Sequence, residues 1–317
     1  REAANVAAAA NGGAAHADDV ALVLHTSGTT SRPKIVPLTQ RNVSASAQNI
    51  RATLAFTEKD RGLNIMPLFH IHGLIAGIMA PLSAGASVFC TPGFDALKFF
   101  SWMDEAHPTW YTAVPTMHQA ILSRASRNKE TIARNPLRFL RSSSSSIPPQ
   151  VIRELEEVFG APLIEAYGMT EASGLIAYDP FAGASQAGSV GWALPYTRVE
   201  VRRFGTDGQL GEVCNTGEVG VVSVSGPHVS PGYRNPSHDV GIFDNGVLNT
   251  GDLGYTDEQG RLYMAGRSKD LIIRSGHNID PVMIENAMTA HPAVSLAAAV
   301  GMPDAYAGEL PVCFVVL

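Results

Sequence analysis

The chain has 317 residues, of which 45% are hydrophobic and 16% charged, and its formal net charge is −6 at pH 7. This is the composition of a globular protein with room for one large domain or two to three smaller ones, and it excludes a polybasic partner for nucleic acid or an anionic membrane. Cys90, Cys214 and Cys313 stand far apart without a CxxC pair, and no apolar run reaches the ~18 residues of a membrane span, so a disulfide framework, a zinc knuckle and a transmembrane helix are excluded too.

Residues 1–18 open as "REAANVAAAANGGAAH", Ala-rich with no apolar core, and read as a linker or an arbitrary start rather than a signal peptide. The apolar "VALVL" (20–24) then gives way to Thr26–Arg32, all small or polar, followed by Pro33 and Lys34. Small side chains let backbone approach an anion, hydroxyls donate and a lysine adds a point charge, which is the chemistry of a phosphate cradle. A solvated turn has the same composition. The loop is not of the Walker type, because the position five after Gly28, where that motif needs glycine, is Pro33.

From 19 to 188, "DVALVLHT", "GLNIMPL", "ASVFCTP", "TWYTAVP", "LRFLRSS" and "APLIEAYG" read as strands that end in turn-formers. Helical patterns lie between them. In "PQVIRELEEVFG" the residues Val151, Leu155 and Val158 share a face, and Gly160 marks the stop. Such alternation predicts an α/β fold with a mostly parallel sheet covered by helices. From 189 to 266, "GSVGWALPYTRVEVRR", "GEVGVVSVSGP" and "GRLYMAGR" are short alternating runs between Gly, Asp and Pro turns, the pattern of an antiparallel sheet or small barrel. From 267, the basic "RSKDLIIRSGHNIDP" leads into a helix near Pro281, a strand-like "VSLAAAVGMP" and "PVCFVVL", in mid-strand by pattern. There is no internal repeat.

Six motifs in order then carry a resemblance: "HTSGTTSRPK" (25–34), "PLFHIHG" (67–73), "YGMTEA" (167–172), "TGE" with "GP" and "GY" (216–233), "NTGDLGY" (249–255) and "GRSKDLI" (266–272). They resemble the adenylate-forming superfamily of acyl- and aryl-CoA ligases, adenylation domains and beetle luciferases. The resemblance implies a large α/β domain with a β-barrel subdomain, followed by a small mobile α+β lid; it spans nearly the whole chain from 18. On this reading 19–188 is the α/β part, 189–266 the barrel and 267–317 the start of the lid.

The resemblance also implies roles. Thr26, Ser27, Gly28, Thr29, Thr30 and Lys34 would hold the β- and γ-phosphates of ATP as pyrophosphate leaves, spreading donors over departing charge; Ser31 and Ile35 stand where the family often has Gly. Tyr167 would stack on adenine, with Gly168, Ser144 and Ser145 also at the nucleotide. Thr170 would donate to the α-phosphate, and Glu171 would ligate Mg²⁺, a hard cation held by one carboxylate and substrate phosphates. Asp252 would accept both ribose hydroxyls, with Arg267 on the same ribose or on phosphate. His70 would lie near the acyl carboxylate and help gate thiolation, whereas His72 reads as structural. Lys269 would be the hinge of the lid, and Gly276 the point where the pantetheine arm of coenzyme A passes close to backbone. No stretch after Lys269 resembles the family's Pro/Gly/Lys segment with its adenylation lysine. The chain is therefore expected to be an internal fragment that does not complete adenylation alone.

The implied reaction is carboxylate plus ATP giving acyl-adenylate and pyrophosphate, then thiol attack giving thioester and AMP. The implied co-substrates are ATP and coenzyme A with Mg²⁺, in the cytoplasm, with no protein or nucleic-acid partner. "HTSGTTSRPK", "PLFHIHGL" and "TWYTAVPTMHQ" look especially like the oxalate–CoA ligase branch. The run Ser142–Ser146 follows a strand at the sheet's C-terminal edge, and a wall rich in donors at Ser144, Ser145 and Ser146 suits a short or dicarboxylic acid such as oxalate better than a long chain, since unpaired buried hydroxyls beside methylenes cost about 1–3 kcal/mol each. A helix-capping serine run before Pro148 explains the same residues. Three other readings stay open: an adenylation domain loading a carrier protein, a medium-chain acyl-CoA synthetase, and a non-catalytic nucleotide sensor, against which the intact set Lys34, Thr170, Glu171, Asp252 and Arg267 argues.

Overall fold

The structure is a computed structural model and describes residues 13–26, 33–179, 188–205, 209–268, 270–275, 277–291, 293–304 and 306–317. Its centre is a seven-stranded sheet in the order Ser87–Cys90, Arg61–Asn64, Trp110–Ala113, Phe139–Ser143, Leu163–Tyr167, Ala177–Tyr178 and Trp192–Ala193. The first five strands are parallel and the last two antiparallel. Alternating residues build a core on each face. Trp110, Phe139 and Ile164 pack with Val43 and Ile50 of the helix Gln40–Thr53 and with Ile75 of a π-helix, His72–Met79. Tyr111, Leu140 and Leu163 pack on the other face with Phe99, Met103, Ile121 and Leu155. Each such side chain contributes roughly 1.5–3 kcal/mol through burial, so the two faces together dominate the fold.

Chain order within this sheet decides where a site can form. From Arg61–Asn64 the chain steps to one side, to Ser87–Cys90, and then crosses to the other, to Trp110–Ala113. The connections diverge between Arg61–Asn64 and Trp110–Ala113, and a crevice opens there at the carboxyl ends of the strands.

Two sequence expectations change. "DVALVLHT" is not a strand of the parallel sheet: Val20–Thr26 pairs antiparallel with Lys34–Thr39 in a separate two-stranded sheet, because so short a connection permits only a hairpin. In the helix Pro149–Phe159, Leu155 is fully buried but Val158 is 37% exposed, and Phe159 takes the inward position four residues after Leu155. Gly160 does end that helix, in the left-handed conformation (φ 62°).

The helix Gln40–Thr53 begins with a reciprocal cap. Thr39 Oγ1 accepts the Asn42 N–H and Asn42 Oδ1 accepts the Thr39 N–H. Asn42 Nδ2 also donates to the Pro227 and Val229 carbonyls at 2.8 Å, which ties this helix to the 226–233 segment.

Beyond residue 188 all strand pairs but those of Trp192–Ala193 lie in two further antiparallel sheets. One joins Leu210–Val213, Arg198–Phe204, Gly220–Ser225, Val247–Thr256 and Phe243–Asp244, with Leu262–Arg267 also on Val247–Thr256. The other runs His277–Ile279, Ile272–Arg274, Gly308–Val316, Leu296–Asp304. The helix Pro281–Thr289 accompanies it, capped by Asp280, whose Oδ1 accepts the Val282 N–H. Among the described residues no helix is long and apolar enough to cross a membrane.

Candidate active site

The first hairpin sets Thr26 directly opposite Lys34. Ser27, Gly28, Thr29 and Thr30 lie outside the described residues. The hairpin is fixed from below: the Arg234 N–H donates to the Ile35 carbonyl (2.9 Å), and Ser230 donates through Oγ to the Pro37 carbonyl and through N–H to the Glu171 carbonyl, each at 2.8 Å.

Glu171 stands in a single 3₁₀ turn, Thr170–Ala172, directly after the parallel strand Leu163–Tyr167. Only 5% of it is exposed, and its Oε1 accepts the Tyr233 hydroxyl at 2.6 Å. The Lys34 ammonium rests over the ring of that tyrosine, 4.6 Å from its centroid. Tyr233 is locked by the Asp239 carboxylate, which accepts its N–H (2.8 Å), and by an edge contact with Phe243. Burial, and then the Glu171 charge, raises the Tyr233 hydroxyl well above its ordinary range, so it remains a donor. Lys34, Tyr233 and Glu171 therefore form one unit, although they come from three distant stretches.

Glu171 fits a magnesium ligand by its chemistry. It is a lone hard carboxylate, and among the described residues no three His, Cys, Asp or Glu groups converge to cage a metal. A cation here would complete its shell with substrate oxygens, which is how magnesium is usually held.

A second unit joins the parallel sheet to the antiparallel one. The Tyr167 hydroxyl donates to Asp252 Oδ2 at 2.6 Å, and Arg267 Nε donates to Asp252 Oδ1 at 2.9 Å. Asp252 and Arg267 face each other across the Val247–Thr256 and Leu262–Arg267 pair. The carboxylate is buried and its arginine half-exposed, so the pair is balanced yet open on one side. Burial, and then the Asp252 charge, raises the Tyr167 hydroxyl well above its usual range. Gly168 follows Tyr167 in a tight contact: a Cβ there would stand 2.4 Å from the Gly174 carbonyl oxygen, so the turn carrying Thr170 and Glu171 can fold back only without a side chain.

The two histidines separate. His70 is exposed, with its ring 4.6 Å from that of Phe69. His72, read from sequence as structural, is buried in the switch-point crevice. Its Nε2 lies 2.6 Å from Thr112 Oγ1 and 2.9 Å from Arg141 Nη1, and its Nδ1 lies 3.2 Å from Ser144 Oγ. Arg141 is 2% exposed, and burial lowers it to about 10, so it keeps its charge at neutral pH. In the serine run, Ser142 and Ser143 are buried while Ser144, Ser145 and Ser146 are exposed, and Ser144 is held at φ 78°. Such a conformation in a non-glycine residue costs on the order of 1–3 kcal/mol and is retained where surrounding structure fixes it.

Of the residues singled out by sequence, Lys34 and Glu171 are thus brought together, as are Tyr167, Asp252 and Arg267. Thr170 stands beside Glu171, and Ser144 beside His72. Lys269 and Gly276 lie outside the described residues. Sequence reasoning passed over Tyr233, whose signal was the Gly-Tyr pair at 232–233, and Arg141, whose signal was a charge inside the strand pattern "LRFLRSS".

Comparison with known proteins gives three findings. The family described as AMP-binding enzyme matches residues 2–234, and the AMP-binding enzyme C-terminal domain matches residues 283–317. An oxalate–CoA ligase of Arabidopsis thaliana is 44% identical over 306 residues, which are 95% of this chain and 58% of the relative; an oxalate–CoA ligase of Saccharomyces cerevisiae is 37% identical over 309 residues, 96% of this chain and 55% of the relative. The crystal structure of ATP-bound MatB from Rhodopseudomonas palustris superposes with a TM-score of 0.86 at 34% identity, over 95% of this chain and 58% of that one. The chain spans little more than half the length of the relatives it matches.

Proposed function

The chain belongs to the AMP-binding enzyme family, and from that premise we propose that it is the nucleotide-binding part of an ATP-dependent, AMP-forming carboxylate–CoA ligase. The observation that carries this reading is the pair of units at the carboxyl edge of the parallel sheet, Lys34–Tyr233–Glu171 and Tyr167–Asp252–Arg267. One gathers a cation and a lone carboxylate beside the hydroxyl-rich loop, as a polyphosphate with its counter-ion requires. The other offers a buried carboxylate to a ribose diol, beside an aromatic ring for the base.

In the proposed chemistry, Thr170 donates to the α-phosphate while a substrate carboxylate attacks it. Thr26, Lys34 and the loop between them receive the pyrophosphate. Tyr233 holds Glu171 through one oxygen and leaves the other for the metal, and magnesium, when bound, neutralises charge on the phosphates. Asp252 orients the ribose, and Arg267 holds that carboxylate in place through its Nε contact at 2.9 Å. The thiol of coenzyme A then displaces AMP, with Gly276 and the hinge Lys269 assigned by family resemblance alone. His70, on the surface beside Phe69, is assigned by family resemblance alone to the acyl carboxylate and the gating of thiolation. The acid is short and polar on the evidence of the exposed Ser144–Ser146 hydroxyls. Three free cysteines, far apart in the sequence, support a reducing compartment such as the cytoplasm.

The test is acid-dependent exchange of label between pyrophosphate and ATP, followed by thioester formation on adding coenzyme A, using the full-length protein. Exchange with at least one short acid, then thioester, is the expected result. No exchange with any carboxylic acid overturns the reading.

A further inference from the structure

Three polar side chains form a row across neighbouring strands of the seven-stranded sheet. Ser142 is the register partner of Glu165 on the next strand. The ladder that pairs Ala166 with Tyr178 extends one step to Glu165 and Asp179, whose N–H donates to the Glu165 carbonyl at 3.2 Å. Register partners stand on one face of a sheet. Leu163, two residues before Glu165 on the same strand, packs on that face with Leu155 and Ile147. A hydroxyl and two carboxyls therefore share surroundings that are otherwise apolar.

Two members of the row carry buried oxygens without partners. Ser142 is 1% exposed and Asp179 3%, and among the described residues neither Ser142 Oγ nor Asp179 Oδ1 has a hydrogen-bond partner. Such an atom costs about 1–3 kcal/mol, and nearly all buried polar groups in folded proteins find a partner. Glu165 stands between them, partly covered, and accepts the Ile147 N–H. Asp179 feels the charge of Arg261, but the Nε of that arginine is held by Asp257 at 2.7 Å. The two carboxyls relieve their repulsion by keeping a proton. Burial, and then the Asp179 charge, raises Glu165 to about 8, and burial raises Asp179 to about 6.

The donor set is all oxygen, which selects hard cations of the calcium and magnesium kind over metals that seek thiolate or imidazole. Two carboxylates carry two negative charges, so a divalent ion balances them where a monovalent ion leaves one over. The unpartnered oxygens at the two ends of the row are the ligands such an ion satisfies, and the partly open Glu165 leaves it a way in. Glu171 lies past the end of this strand, in its own 3₁₀ turn with Oε1 taken by the Tyr233 hydroxyl.

We propose that Ser142, Glu165 and Asp179 form a site for a hard divalent cation, separate from the one at Glu171. The ion joins the strands Phe139–Ser143 and Leu163–Tyr167 to the residue that follows Ala177–Tyr178. It thus braces the strand end from which the Thr170–Ala172 turn departs. Binding displaces the proton held at Glu165.

The experiment takes the full-length protein, strips it with EDTA, desalts it and titrates it calorimetrically with calcium chloride or magnesium chloride in the absence of nucleotide. The pH is about 8.5, where the pair has few protons left to displace, and Tm is followed in parallel. The unaltered protein should take up about one ion per chain at this site, with Tm rising by about 2 °C or more at saturation. Glu165→Gln and Asp179→Asn keep the shape of each side chain and remove its charge. Each should weaken uptake about tenfold or more, and Ser142→Ala should weaken it less. Glu171→Gln should leave both the uptake and the rise in Tm in place. This pattern with either ion supports the site. No uptake of either ion overturns it, and so does uptake that persists in both carboxamide variants or is lost only in Glu171→Gln; the row then holds water or a shared proton alone. Should one carboxamide variant not fold, the other decides.

Discussion

Two polar clusters share one edge of the parallel sheet, and they differ in charge balance. In the Tyr167–Asp252–Arg267 unit the buried carboxylate already has its cation at 2.9 Å and a phenol at 2.6 Å. In the Arg141–His72–Ser144 unit the buried cation has, among the described residues, hydrogen bonds to neutral side chains and no paired carboxylate. A balanced cluster can receive a neutral diol by exchanging hydrogen bonds, with no net charge to bury. An unbalanced one is improved by the arrival of an anion. The same sheet thus carries a compensated charge at one cluster and, among the described residues, an uncompensated one at the other. The opposite face supplies a converse case in Glu165, an acid facing the like charge of Asp179, with a backbone hydrogen bond from Ile147.

The comparison is tested hardest at Glu171, the acid proposed to hold the metal. Glu171→Gln keeps the acceptor for the Tyr233 hydroxyl but removes the charge, so the fold should persist while adenylation slows by about 10²-fold or more, since metal-linked transition-state charge is worth several kcal/mol. Pyrophosphate exchange at saturating magnesium measures this, and an unchanged rate removes Glu171 from the site.

A smaller effect is expected at the balanced unit. Asp252→Asn leaves an oxygen for Tyr167 and Arg267 but loses the ion pair and the charged acceptor for the ribose. KM for ATP should rise about tenfold, with kcat affected less, because one charge-assisted bond becomes a neutral one. If KM for the acid rose instead, Asp252 would face the acid and not the ribose.

The smallest effect concerns stability alone. Burial, and then Asp179, raises the Glu165 carboxyl to about 8. The folded protein holds a proton there that the unfolded chain releases near 4.5. The stability this contributes is complete below the unfolded value, drains as pH rises and is gone above about 8. Melting temperature should fall between about pH 4.5 and pH 8, and Glu165→Gln should flatten that slope. An equally steep slope in the variant would place the titration elsewhere.

How much of this was legible in the sequence follows from the range over which each feature is determined. The phosphate loop, the Gly160 stop, the cap at Asp280 and the turn from parallel to antiparallel texture near residue 188 are written in contiguous residues, because turn chemistry and hydrophobic period act over a few positions. The motifs around Glu171 and Asp252 were legible for the same reason. Pairing and burial are not local. "DVALVLHT" looks like its neighbours as a strand, yet the brevity of the next connection removes it from the parallel sheet. His70 and His72 have nearly the same sequence context; a π-helix starting at the second one turns it inward and leaves the first on the surface. Tyr233 meets Glu171 across 62 positions and Arg141 meets His72 across 69. Residue types alone determined the family to which the chain belongs and the motifs that stand at its strand ends. Which charge is compensated and which is left waiting was decided only by tertiary structure, because a counter-charge acts through distance in space and its partner can lie anywhere in the chain.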